Sequence, residues 1–188
     1  GSTGLVQYGG DVREDFLRQL QGKRGHSTYR EMSDNHPVIG AILYSIEMLV
    51  RGVDWTVTPA DPNDQRAVDE ATFVSECMTD MTHSWPDTLS AILSMLTFGY
   101  SYNEIVYKRR LGPDREKTSE KSKFDDGRYG WRKWPIRDQS TLTRWKFDDH
   151  GGIDGAYQMD TVSGHGEVFL PIERCLLFRT TTKRNNPQ

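Results

Sequence analysis

The spacing of hydrophobic and polar positions divides the chain into three stretches. Residues 1–33 are polar and punctuated by glycine, with apolar residues grouped in the short patch Val12-Arg-Glu-Asp-Phe-Leu-Arg-Gln-Leu20. The patch suffices for about two helical turns, so this stretch reads as an extended arm with one short helix, ordered mainly against a neighbour. From Pro37 to Arg51 the period becomes helical, with Val38, Ile39, Ile42, Leu43, Ile46, Leu49 and Val50 at three- and four-residue intervals. Asp34 or Asn35 can cap this helix, Pro37 suits its first position and Gly52 ends it. Val53-Asp-Trp-Thr-Val-Thr58 then alternates up to Pro59, which predicts a short strand. Asp61-Pro-Asn-Asp64 is a turn and cap signal for a second helix over about 65–82. Ser84-Trp-Pro-Asp87 opens a third helix, which closes near Phe98-Gly99 and carries the stripe Leu89, Ile92, Leu93, Leu96.

After Gly99 the period drops to two. Tyr100 to Lys108 predicts one strand, and 109–128 a long charged loop. Strand patterns resume over 131–136 and 141–147, followed by the turn Asp148-Asp-His-Gly-Gly152. They continue over 155–159, then a turn at 163–166, then 168–170 and the most apolar strand, Cys175 to Arg179. Helices gathered first and antiparallel strands gathered last predict an α+β fold: an arm, three helices packed on a meander of short strands, and no internal repeat. The expected division is an arm over 1–33, an α+β body over 34–180 containing the loop 109–128, and a polar tail over 181–188. The tail closes on no helix or strand, so a longer natural polypeptide is expected.

Composition adds little to this picture; charge adds more. Hydrophobic residues make up 35% of the chain, low for a self-sufficient globule, while the 11% aromatic content argues against disorder. The net charge is −3, yet Ile105 to Lys146 holds 13 Lys and Arg against 6 Asp and Glu. A basic middle in an acidic chain suggests a face that meets a polyanion or an acidic partner, or else a solvated loop of mixed sign. The residues singled out as nucleic-acid- or partner-facing are Lys108, Arg109, Arg110, Lys121, Lys123, Arg132 and Lys133. The neighbouring run Tyr129-Gly-Trp-Arg-Lys-Trp134 sets stacking aromatics beside cations, as single-strand binders do. The favoured reading nonetheless packs Trp131 and Trp134 in the sheet, with Arg132 and Lys133 facing solvent.

Catalytic motifs are absent. There is no phosphate-binding glycine loop, dinucleotide fingerprint, zinc-protease helix or nucleophile elbow. The histidines, His26, His36, His83, His150 and His165, lie far apart, and no C-x-x-C spacing exists, so neither a catalytic, a metal nor a cofactor site is expected. Cys77 and Cys175 both fall in apolar patterns and read as buried free thiols. Asp148, Asp149 and Asp154 flank a glycine turn, where Asp serves the local backbone more often than a divalent cation. No apolar run approaches the length of a membrane span.

Several stretches, in order, resemble one family. Gly4-Leu-Val-Gln-Tyr-Gly-Gly10 is similar to a glycine-punctuated arm, and Tyr29-Arg-Glu-Met-Ser-Asp-Asn-His-Pro-Val-Ile-Gly40 to a lead-in to a first helix. Val53-Asp-Trp-Thr-Val-Thr-Pro59, Leu96-Thr-Phe-Gly-Tyr-Ser-Tyr-Asn-Glu-Ile-Val-Tyr107 and Leu170-Pro-Ile-Glu-Arg-Cys-Leu-Leu-Phe-Arg179 resemble three later passages, and Asn185-Asn-Pro-Gln188 the point where a further helix follows. Together the set resembles the portal proteins of tailed bacteriophages. The resemblance implies the arm and wing portion of a structural, non-enzymatic subunit. Such subunits form homo-oligomeric rings, usually dodecamers, at one capsid vertex. They contact capsid protein, dock the packaging terminase and the neck or tail adaptors, and pass double-stranded DNA through the channel. Virion localisation, with assembly in the host cytoplasm, follows from the same resemblance. It transfers no DNA-contact residue. Two further readings stay open: another head–tail adaptor or capsid structural protein, and a nucleic-acid-binding enzyme domain. The last would need two or more of Cys77, His83, Glu104 and Asp154 to converge.

Overall fold

The computed structural model describes residues 4–13, 17–160, 166–182 and 186–188. Helices and antiparallel strands give an α+β fold. The chain divides into two compact units. The first comprises Gly1–Met48, Ser90–Glu104 and Ile136–Gln188; the second comprises Leu49–Leu89 and Ile105–Pro135.

The core of the first unit is built on two antiparallel arrangements. Strands β3 (Tyr100–Glu104) and β9 (Cys175–Arg179) pair from Tyr100↔Arg179 to Glu104↔Cys175. Strands β6 (Leu142–Phe147), β7 (Ile153–Met159) and β8 (Glu167–Pro171) form a three-stranded meander. Tyr100, Tyr102, Leu142, Trp145, Ala156, Leu170 and Cys175 meet in one buried cluster. Two polar groups at this core are hydrogen-bonded. The Tyr102 hydroxyl donates to the Leu170 carbonyl at 2.9 Å, and the buried Gln139 amide donates to the Tyr100 carbonyl and to Ser94 Oγ, both at 2.9 Å. Burial pushes the Tyr100 and Tyr102 hydroxyls and the Cys175 thiol up from their ordinary pKa values.

An N-terminal hairpin, β1 (Gln7–Tyr8) and β2 (Asp11–Val12), closes this core, with Val12 entering the cluster. Gly9 and Gly10 turn it at φ +59° and +88°, and the Gly10 carbonyl accepts from the Trp145 N–H at 2.9 Å. A Cβ at position 10 would overlap the Trp145 carbonyl oxygen. Gly10→Ala is therefore expected to release the hairpin at a cost of about 2 kcal/mol, seen as faster limited proteolysis before residue 13. Unchanged cleavage would count against this account.

Helix α1 occupies Gly22–Asn35, where extended arm was expected. Its apolar residues are too few to show a helical period, and its attachment is polar and aromatic. The His26 ring lies 5.9 Å from the Phe98 ring, edge to face, while Arg30 sits over Phe98 and bonds Asp138 at 3.3 Å. Burial holds His26 below the usual imidazole range. Helix α2 runs Pro37–Arg51, as its spacing predicts.

In the second unit, α3 (Gln65–Thr79) starts at the predicted cap, where Asp64 Oδ1 accepts from the Arg66 N–H. Helix α4 (Trp85–Leu93) begins with Ser84 and Asp87 capping each other; the helix breaks at Ser94 and resumes as α5 (Met95–Phe98), which ends at Gly99 with φ +84°. The expected strand at 53–58 does not form. No strand pairs with it among the described residues, and Val53 and Trp55 are exposed. The expected strand 100–108 is two strands. It breaks at Ile105, where the chain leaves β3 and continues as β4 (Val106–Leu111), paired with β5 (Asp125–Lys133). The loop thus spans 112–124 rather than 109–128, and it is anchored. Gly112 N–H donates to the Phe124 carbonyl at 2.9 Å, and Ser122 is buried. The expected turn at 163–166, with His165, falls largely outside the described residues.

Candidate functional site

The β4–β5 hairpin sorts the basic residues by parity along the strand. Lys108 and Arg110 point inward, while Tyr107 and Arg109 point outward. Both inward cations meet carboxylates, although Arg110 Nε and Nη1 are buried with no hydrogen-bond partner. Lys108 Nζ lies 3.0 Å from Asp80 Oδ2, with both side chains 4% exposed, and donates to the carbonyls of Asp80 and Lys121 at 2.5 and 2.7 Å. Asp80 also accepts from Ser122 Oγ and from the Lys123 N–H. Arg110 bridges Glu76 at 2.5 Å and Asp126 at 2.9 Å, and its guanidinium stacks between the Phe73 and Phe124 rings. Desolvation opposes the Asp126 charge, but hydrogen bonds from Arg128 and the nearby Arg110 hold its pKa below the ordinary aspartate value. Lys108 and Arg110, singled out as partner-facing, are instead buried counterions that tie α3 to the hairpin. The pattern could not show this, because Asp80 and Glu76 lie about thirty residues away.

Of the remaining candidates, Arg109 and Arg132 line an open cleft of about 320 Å³ together with Tyr107, Arg115, Ser119 and Glu120. Arg109 is exposed and sits 5.8 Å over the Tyr129 ring, which is 67% exposed. Lys121 and Lys123 lie on the loop; Lys123 Nζ donates to the Thr79 carbonyl at 2.6 Å, and the Lys121 side chain is exposed. Lys133 is half-buried opposite Val106. Arg115 and Tyr107 belong to this surface but were not singled out. The alternation of β4 alone would have grouped Tyr107 with Arg109.

The tryptophans near this surface are used for packing. Trp131 meets Trp134 edge to face at 4.7 Å, Trp134 meets Trp85 at 5.6 Å, and Trp85 meets Trp55 at 6.4 Å. Trp134 is buried and Trp131 half-buried, so neither is laid open for stacking with bases. Two of the residues proposed for an enzymatic site are ion-paired with other side chains. Glu104 pairs with Arg137, Asp154 pairs with Lys146 at 3.0 Å, and Cys77 is buried beside Gly130. Asp148 Oδ1 accepts from the N–H groups of His150 and Gly152 at 2.7 Å, closing the turn, and these bonds lower its pKa. Cys77 and Cys175 are buried free thiols. No group of metal-ligating side chains occurs among the described residues, and no described helix is long and apolar enough to cross a membrane.

The arrangement therefore offers ion pairs and a cationic cleft, and residues 26–188 match one protein family, the portal protein of Mu bacteriophage. The chain belongs to this phage portal family. No curated protein matches the chain as a relative. In a portal protein, a structural component of a phage, the buried ion pairs of the second unit have a clear use. They tie α3 to the hairpin, since each charge removed from water meets an opposite charge.

Proposed function

We propose that the chain is a structural subunit of a portal ring at one vertex of a phage capsid, with residues 34–180 as its wing-like body. In this reading the ring is a homo-oligomer, usually a dodecamer in the family. It forms the DNA passage, contacts capsid protein, and docks the packaging terminase and then the neck or tail adaptors. The observation that carries the reading is the portal family match over residues 26–188. Electron microscopy of the purified chain tests it. Closed rings around a channel wide enough for duplex DNA are expected; monomers or open chains at all concentrations would refute the ring.

The cleft cations Arg109, Arg115 and Arg132, with Lys121, Lys123 and Lys133 nearby, make up the surface proposed to meet DNA phosphates. Each phosphate contact contributes about one unit to the log–log salt slope of binding. Arg109→Ala/Arg115→Ala is expected to reduce that slope by about 2, measured by fluorescence anisotropy on a short duplex. An unchanged slope would assign the contact elsewhere.

A further inference from the structure

Helix α2 is apolar on both sides. Between Pro37 and Val50 its one charged residue is Glu47. At 100° per residue, Ile39, Leu43, Glu47 and Val50 share one face, and all are partly buried. The opposite face carries Val38, Ala41, Ile42, Ser45, Ile46, Met48 and Leu49, and every one of them is exposed. Val38 is 59%, Ile42 54% and Leu49 74% exposed. A helix that is apolar all round belongs in the interior of a large body or in a bilayer, and α2, with 15 residues, is too short to span one.

We infer that this outer face of α2 is an interface with a second copy of the chain, one of the two different faces that each subunit of a ring must present. The inference rests on the ring reading above. Three observations select the occupant. Val38, Ala41, Ser45 and Met48 follow heptad spacing, with Ile42 and Leu49 alongside, so the small side chains at 41 and 45 lie between larger ones and leave room for the knobs of another helix. The face carries no charge, which excludes a nucleic acid and an anionic lipid surface. Together with the exposed Tyr44 it leaves on the order of 600 Å² open, the upper end of what a typical monomer carries and most of the roughly 800 Å² each partner contributes to a standard interface.

Sedimentation velocity over a concentration series tests this on the wild-type chain, on Ile42→Glu/Leu49→Glu and on Ile42→Leu/Leu49→Met. The wild type and the conservative variant associate. The glutamate variant is monomeric with unchanged helical circular dichroism, its dissociation constant raised about 100-fold. Ala41→Arg, which does not touch the inner face, serves if the double glutamate variant unfolds, and is also monomeric. Charged variants that associate like the wild type overturn the interface while leaving the ring intact; a wild type that stays monomeric throughout the series overturns both. Association lost on mutating α2, but seen in electron micrographs as an open pair, upholds the interface and overturns the ring.

Discussion

Lys108→Ala should destabilise the second unit by about 3–5 kcal/mol, the cost of removing one partner from a buried ion pair. The Asp80 carboxylate would remain 4% exposed with its counterion gone. The Asp80 and Lys121 carbonyls would also lose the ammonium donor. Water cannot easily take its place, because Ser122 and Lys123 close around the same carboxylate. Lys108→Met/Asp80→Leu recovers part of the loss by removing both charges, but leaves the Ser122 hydroxyl and Lys123 N–H without their acceptor. Urea unfolding followed by tryptophan fluorescence suits the measurement, since Trp55, Trp85, Trp131 and Trp134 all lie in this unit. A loss below about 1 kcal/mol would mean that the pair is no more than a surface bridge.

Trp145→Ala is the counterpart in the first unit, with an expected loss of about 3–5 kcal/mol. Trp145 is 3% exposed and makes edge-to-face contacts with Tyr100 and Tyr102, each at 5.4 Å between ring centres. Removing the indole takes the central ring from between two strands and leaves a cavity that the β3–β9 pair cannot collapse to fill, because Tyr102 is held by its bond to Leu170. The near-ultraviolet circular dichroism of the tyrosines should weaken along with stability. Trp145→Phe keeps an aromatic edge and should lose less. An alanine variant that melts like the wild type would show that Trp145 is peripheral to the core.

These two positions differ in how far their sequence context reveals them. Trp145 stands in the run Thr141 to Phe147, whose pattern predicts a strand, and the strand is found at Leu142–Phe147. Lys108 stands in an alternating run, but a lysine at an inward position reads as solvent-facing until its counterion is known. The counterion sits at the end of α3, Lys121 supplies a carbonyl from the loop, and no local spacing links them. The same holds for Arg110 and its stacking partners Phe73 and Phe124.

What the sequence by itself determined is local. It bounded α2 at Pro37 and Arg51, capped α3 at Asp64, stopped the third helix at Gly99 and placed β9 at Cys175–Arg179. Periodicity, caps and glycines act within a few residues, so these signals survive without knowledge of neighbours. The tertiary structure decided that the run from Tyr100 to Lys108 changes pairing partner at Ile105, that 53–58 stays unpaired, and that α1 forms on aromatic and ionic contacts rather than on an apolar stripe. It also decided which cations are buried and which face solvent. The reason is the same in each case: strand pairing and charge burial depend on groups brought close from distant parts of the chain, and their energies arise only once those groups meet.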